Sequence, residues 1–483
     1  MENTLKNKTV FGMMWSAVGK VGTLSINFIS NLILARLLMP EDFGSIAMLT
    51  IFLAVSNIFI QGGLGASLIQ KKKANEIDYS TVFYWNLVVA IIFYFILFFS
   101  APWIAKYYNL ELLKPLLRVQ SIVIVIQSFA IMQVTQLQKQ MNFRALSIRN
   151  ITAAASGTAV SIPLAFAGYG AWSLVASALT AAVVNVLLLW RMSTWRPTLQ
   201  FSFNSLKELF SFGGLILLSS LTETLYTNLQ QLIIGKRFSA RDLGQFSQAK
   251  KLEEIPVTGL SSIVNDVTFP AFATLQDDKT LLLNGVRKST KALAYLNFPM
   301  MILLIIIAKP LIILLYGMKW IPSVPYFQIL CISGLIFTIN TLNTTVIKSL
   351  GKGKIYFILQ ITKRLIGIML IFLGISYGIY GLLIAVASAA YIDFIINTLA
   401  NKKLINYGFF YQIRDLLPTF LISLVVGAIT YSINLTNWNI FVVMSLQICI
   451  FAALYLIISK TLKIEGFETY YSILLSLLKR KKH

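Results

Sequence analysis

The chain has 483 residues, 57% of them hydrophobic and only 12% charged, with a mean hydropathy of +0.75. A soluble domain is roughly 45–50% apolar and about 25% charged. The composition therefore excludes a soluble globular chain and specifies a polytopic membrane protein. The net charge of +23 raises nucleic acid as a partner, but the placement of that charge gives a membrane reason for it. The one histidine is the last residue, His483, so metal centres and histidine catalysis have almost no donors. Cys331 and Cys449 lie in apolar runs and read as packing residues rather than a disulfide framework.

Many runs exceed the ~18 apolar residues that mark a membrane helix. The predicted architecture is all-α, with about fourteen spans. Six fall near 10–38, 42–68, 80–103, 113–136, 145–167 and 170–190. Six more fall near 208–234, 243–273, 290–316, 323–349, 354–376 and 378–400, and a pair follows near 414–434 and 438–459. Turn residues separate them: Pro40-Glu41-Asp42, Gly168-Tyr169-Gly170, Gly351-Lys352-Gly353, and Gly378 with Gly381. Lys6 and Lys8 precede the first span, which lacks a cleavage site and is expected to stay as an anchor. The fifth and sixth spans are expected to form a hairpin. A polar, basic linker, Arg191 to Lys207, divides the two sets of six.

The first span carries a polar stripe. Ser16, Lys20, Thr23, Asn27 and Asn31 recur at steps of four and three, which places them on one helix face. The seventh span repeats the design with Ser219, Glu223, Thr227 and Gln231. The loop after it repeats as well. At an offset of about 200, Asp42 meets Asp242 and Gly44 meets Gly244. Each Asp is expected to cap the helix that follows. The chain thus divides into a lobe at 1–195, a second lobe at 205–401, and a final pair with a tail at 402–483.

With the N-terminus in the cytoplasm, 27 of the 41 basic residues fall on the cytoplasmic side, among them Lys71, Lys72, Lys73, Lys279, Arg287, Lys288, Lys291 and Lys481. The opposite side receives seven and the spans hold seven. This split orients the chain with both termini inside and accounts for most of the positive charge without nucleic acid. An even number of spans per lobe makes the lobes parallel repeats. The tail carries Phe467, Tyr470, Tyr471 and Leu474 before a basic end, a pattern that suits a helix on the inner membrane surface as well as a frayed end.

The stretch NLILARLLMPEDFG, its echo at Gly235 to Gly244, and two six-helix lobes plus a pair resemble the polysaccharide transporter (oligosaccharide flippase) family, of the lipopolysaccharide and colanic-acid exporter type. That family belongs to the multidrug/oligosaccharidyl-lipid/polysaccharide exporter superfamily. The resemblance implies a transporter rather than an enzyme. It implies flipping of an undecaprenyl-diphosphate-linked oligosaccharide from the inner to the outer leaflet of the bacterial cytoplasmic membrane. A cavity between two lobes would open to each side in turn. No cofactor is implied; the partners are the lipid-linked oligosaccharide, membrane lipids and the polysaccharide polymerase machinery.

A diphosphate crossing hydrocarbon needs a wet, cationic path, so cations and amides inside spans are the candidate substrate contacts. They are Lys20, Asn27, Arg118, Lys250, Lys251, Lys363 and Arg364, with Lys309 a weaker one beside Pro310. Lys20 lies about 15 Å into its helix, near the middle of a ~30 Å core. It either lines the cavity or pairs with a carboxylate. Lys250 and Lys251 either face the cavity or pair with Glu253 and Glu254 along the helix. Arg118 either serves the path or snorkels to the surface. Glu223 and Asp266 are the candidates for ion coupling, with Asp393 read as structural. A lipid II flippase and a multidrug exporter of the same superfamily are the rival readings; an exporter of organic cations would need an acidic or aromatic cavity. Glu41 and Asp42 as an enzyme's base are set aside because the external loops are short. No phosphate-binding loop occurs, and Gly351 to Lys354 is only a basic turn.

Overall fold

The computed structural model describes residues 2–71, 74–435 and 438–480. Lys72, Lys73 and Lys481, used above for orientation, lie outside them. Among the described residues the chain is helical throughout, without a strand. It divides into two compact units, Met1–Ser247 and Gln248–His483.

The first unit contains α1 (Glu2–Leu37), α2 (Pro40–Gln61), α3 (Leu64–Gln70) and α4 (Glu76–Tyr108). The short helices α5 (Leu113–Gln120), α6 (Ile122–Ser128) and α7 (Ile131–Lys139) follow. Next come α8 (Phe143–Phe166), α9 (Ala171–Met192) and α10 (Phe203–Arg237). The unit boundary falls within α11 (Ala240–Ile263). The second unit continues through one π-helical turn, Val264–Thr268, into α12 (Phe269–Thr274), α13 (Lys279–Ile306) and α14 (Ala308–Tyr316). It ends with α15 (Ser323–Ser349), α16 (Gly353–Ile375), α17 (Gly378–Ile405), α18 (Phe409–Tyr431), α19 (Ile440–Thr461) and α20 (Glu465–Arg480).

Among the described residues eleven stretches are long and apolar enough to cross a membrane, or twelve if the two arms of α10, bent by 55°, are one span. The expected count of fourteen spans is thus not confirmed. The fifth and eighth expected spans form helices of 24 residues, α8 and α11, long enough to cross but more polar than those eleven. α8 carries Arg144, Arg149 and Asn150, and α11 carries Arg241, Asp242, Lys250, Lys251, Glu253 and Glu254. α8 packs between α1 and α9, and the hairpin expected of the fifth and sixth spans is the α8–α9 pair.

Local chemistry fixes the breaks. Pro40 opens α2 at a position where its missing N–H costs nothing. The helix stops at Gly62 and Gly63, both left-handed. Asn75 and Asp78 form a reciprocal cap at the start of α4. The linker Arg191–Lys207 is docked rather than loose: Trp195 is buried and its Nε1 donates to Glu76 Oε2 at 2.8 Å. Its ring joins an apolar cluster with Leu68, Phe83, Met132 and Leu209.

In the second unit α13 packs against α15 and α18, and α16 pairs with α17. Gly374 and Gly381 let the α16 and α17 backbones approach so closely that a Cβ on either would lie 2.5–2.6 Å from the other's carbonyl oxygen. The tail forms α20. Phe467 and Tyr470, expected on a membrane surface, turn toward Tyr295 of α13, with ring centroids 6.4 and 6.1 Å away. Cys331 is buried as expected of a packing residue; Cys449 is exposed, so it does not pack.

Candidate functional site

α1 shows why a polar stripe survives in an apolar helix. Gly12, Gly19 and Gly22 form its packing face, set against Phe143, Ser147 and Ile151 of α8. Ser147 Oγ donates to the Trp15 carbonyl at 2.6 Å. The stripe runs beside this glycine face rather than within it. Ser16, Lys20 and Asn27 are therefore exposed, and Thr23 and Asn31 are half-buried. Among the described residues Lys20 makes no ion pair and no hydrogen bond. On α10, Glu223 is also exposed, and Thr227 Oγ1 donates to its carbonyl at 3.0 Å.

The loop after α1 is built as the repeat requires. Asp42 Oδ2 accepts from Met39 N and Oδ1 from Ala171 N, both at 2.9 Å. Asp242 caps α11 in the same way through Ser239. The two glycines of the motif meet each other's loop. A Cβ on Gly44 would lie 1.7 Å from Ala240 O, and one on Gly244 would lie 1.8 Å from Pro40 O. Arg241 Nε lies 3.6 Å from Glu41 Oε1 across this contact.

The other cations have varied surroundings. Arg118 is held by α4: its Nε donates to Phe98 O at 3.2 Å, and its guanidinium lies 4.2 Å from the Phe98 ring centroid. Lys250 pairs with Glu254 at 3.8 Å, as the helical spacing allows. Lys251 is exposed, Arg364 is half-buried and Lys309 is exposed. Asp266 is exposed within the π-helical turn.

Lys363 is buried, 6% exposed. Its Nζ donates to Asn397 Oδ1 at 3.2 Å, Asn397 Nδ2 to Asn340 Oδ1 at 3.1 Å, and Asn340 Nδ2 to Ala390 O at 2.9 Å. Asp393 acts on the same ammonium electrostatically. A second set of amides follows on the same helices. Asn401 Nδ2 donates to Asn343 Oδ1 at 2.8 Å, and Asn343 exchanges hydrogen bonds with Gln412, both at 2.9 Å. Residue-by-residue reading of the sequence missed this ladder. Its signal was present in the three-residue spacing of Asn340 and Asn343 and the four-residue spacing of Asn397 and Asn401.

Glu253, read above only as a partner for the two lysines, does not pair with them. It is 8% exposed, and its Oε1 lies 2.9 Å from the position of a Cβ on Gly334. Among the described residues its carboxylate has no hydrogen bond or ion pair. In the first unit the structure sets Lys20 and Asn27 on one exposed face. In the second it joins Lys363 to Asn397, with Asp393 acting on the same ammonium electrostatically.

The family model described as "Polysaccharide biosynthesis protein" matches residues 33–325. The chain is 25% identical to the teichuronic acid biosynthesis protein TuaB of Bacillus subtilis (strain 168), over 90% of each chain. It is 30% identical to the succinoglycan biosynthesis transport protein ExoT of Rhizobium meliloti (strain 1021), over 74% of this chain and 72% of that one. The fold is similar to that of the lipid II flippase MurJ in an inward closed conformation. The TM-score is 0.75 at 14% identity, covering 96% of this chain and 100% of the other.

Proposed function

We infer the function from one premise: the chain belongs to the polysaccharide biosynthesis protein family. We propose that it flips an undecaprenyl-diphosphate-linked oligosaccharide from the inner to the outer leaflet of a bacterial cytoplasmic membrane, by alternating access along a cationic path. Its termini face the cytoplasm, and the polymerase machinery takes up the product. The repeats at 1–195 and 205–401, with 402–483 appended, are its functional division. Relatives named for teichuronic acid and for succinoglycan transport support this reading.

The observation that carries it is Lys20. A solvent-accessible ammonium with no partner among the described residues sits mid-helix on a polar stripe. A permanently stranded cation at that depth is costly. A passing diphosphate supplies the counter-charge, and the amide of Asn27 on the same face meets its oxygens or the sugar hydroxyls. In the second unit Lys250, Lys251, Lys363 and Arg364 supply further positive charge, and Arg118 contributes from its seat on Phe98. Glu223 and Asp266, both accessible, take up the coupling ion.

Deleting the gene is expected to leave a lipid-linked glycan on the inner leaflet. Lys20→Ala, expressed at normal level in the membrane, is expected to reproduce that accumulation. Normal surface polysaccharide with Lys20→Ala would remove Lys20 from the path. Drug hypersensitivity with normal glycans after deletion would favour a multidrug exporter.

A further inference from the structure

We propose that the second unit carries a site for an anionic phospholipid, with the headgroup phosphate held where α13, α18 and α20 meet. The site is separate from the transported glycan and uses residues that the proposed function does not. Two adjoining cavities of about 540 and 500 Å³ flank the start of α20 and share Arg287, Lys291 and Glu465. Their walls hold five cations, Arg287, Lys288, Lys291, Arg414 and Lys463, against three carboxylates, Asp415, Glu465 and Glu468.

The cations divide by role. Arg287 grips Asp415 with two parallel bonds of 2.8 Å. Lys291 reaches Glu465 at 2.7 Å and Asp415 at 3.4 Å. Tyr407 donates its hydroxyl to Asp415 at 2.9 Å. These bonds use up the buried carboxylate and fix the walls. Lys288, Arg414 and Lys463 are exposed and make no ion pair among the described residues. Arg414 and Lys463 line one cavity and Lys288 the adjoining one, on either side of the wall of Arg287, Lys291 and Glu465 that the two share. Cations with free donors there are the chemistry that holds a phosphate diester. The Asn284 amide lines the cavity of Lys288; Thr469 and Ser472 line it too, their hydroxyls donating to the Glu465 and Thr469 carbonyls and so left to accept from headgroup hydroxyls.

The second half of the argument is apolar. Phe410, Ile413, Leu417, Leu421 and Leu424 follow one another at steps of three and four along α18, and all five are exposed. That spacing makes one continuous stripe, beginning at the turn that carries Arg414. An acyl chain lying on the stripe has its phosphate at the cations. A free phosphate uses only one end of this arrangement. All five cations lie on the side that the charge distribution assigns to the cytoplasm, where basic pockets between membrane helices meet anionic headgroups.

The test uses the full-length protein in detergent, titrated with phosphatidylglycerol and with phosphatidylcholine. Bound lipid is counted by native mass spectrometry and stability is read by thermal unfolding. Phosphatidylglycerol is expected to bind and raise the melting temperature; phosphatidylcholine is not. Lys288→Ala/Arg414→Ala/Lys463→Ala should weaken phosphatidylglycerol binding at least tenfold, while Lys352→Ala/Lys354→Ala/Lys403→Ala should not. If the triple variant does not fold, single Lys288→Gln and Arg414→Gln variants each give a several-fold loss. Equal binding of the two lipids, an unaffected triple or single variant, or an equal loss in the control set overturns the proposal. Displacement by inorganic diphosphate would assign the cluster to a soluble anion. Displacement by undecaprenyl diphosphate below the phospholipid concentration would assign it to substrate. Either result overturns the phospholipid assignment.

Discussion

At the scale of residues, the loop motif is explained by what its glycines touch. Gly44 and Gly244 permit two backbones to meet, because any Cβ would collide with a carbonyl oxygen that cannot rotate away. Gly44→Ala and Gly244→Ala are each expected to cost about 1–3 kcal/mol through overpacking. Their double variant should cost less than the two together, since both relieve the same contact. Unfolding midpoints of the three variants in detergent check this. The sequence marked these glycines by repetition, but repetition does not say what they meet. Glu253 was illegible for a different reason. In the run Lys250-Lys251-Leu252-Glu253-Glu254 the two acids look equivalent, yet a 100° turn sends Glu254 to Lys250 and Glu253 into the packing beside Gly334.

At the scale of elements, small residues and amides decide which helices join. α1 rests on α8 through three glycines, and this leaves its polar stripe beside the seam. α15, α17 and α18 are tied by Asn343, Asn401 and Gln412, all buried. Asn343→Ala would leave Gln412 Oε1 without its donor, while Asn401 Nδ2 keeps the residue-343 carbonyl and Gln412 Nε2 the Tyr407 carbonyl. The expected loss is about 1–3 kcal/mol, chiefly from that orphaned oxygen, read as a lower thermal midpoint, and Asn343→Asp should recover only part of it. A hydropathy pattern records these positions as interruptions in an apolar run. It does not record that the interruptions on three helices face one another.

At the scale of the whole molecule, the distribution of basic residues predicts which loops face the cytoplasm. In a Cys331→Ser/Cys449→Ser background, Tyr169→Cys is expected to react with an impermeant thiol reagent in intact cells, and Lys352→Cys only after lysis. The reverse pattern would invert the orientation. Composition and turn residues alone specified a helical membrane protein, its repeated loop and a family resemblance, because hydropathy, end-capping and charge bias are local properties written into each segment. Tertiary structure alone decided that α20 turns its aromatic face to Tyr295, and which of several similar cations are paired. Lys363 lies against Asn397, Arg118 against Phe98 and Arg287 against Asp415, while Lys20 stays open. The reason is that a side chain's partner is set by the helices that pack beside it, and packing depends on residues far away in the chain.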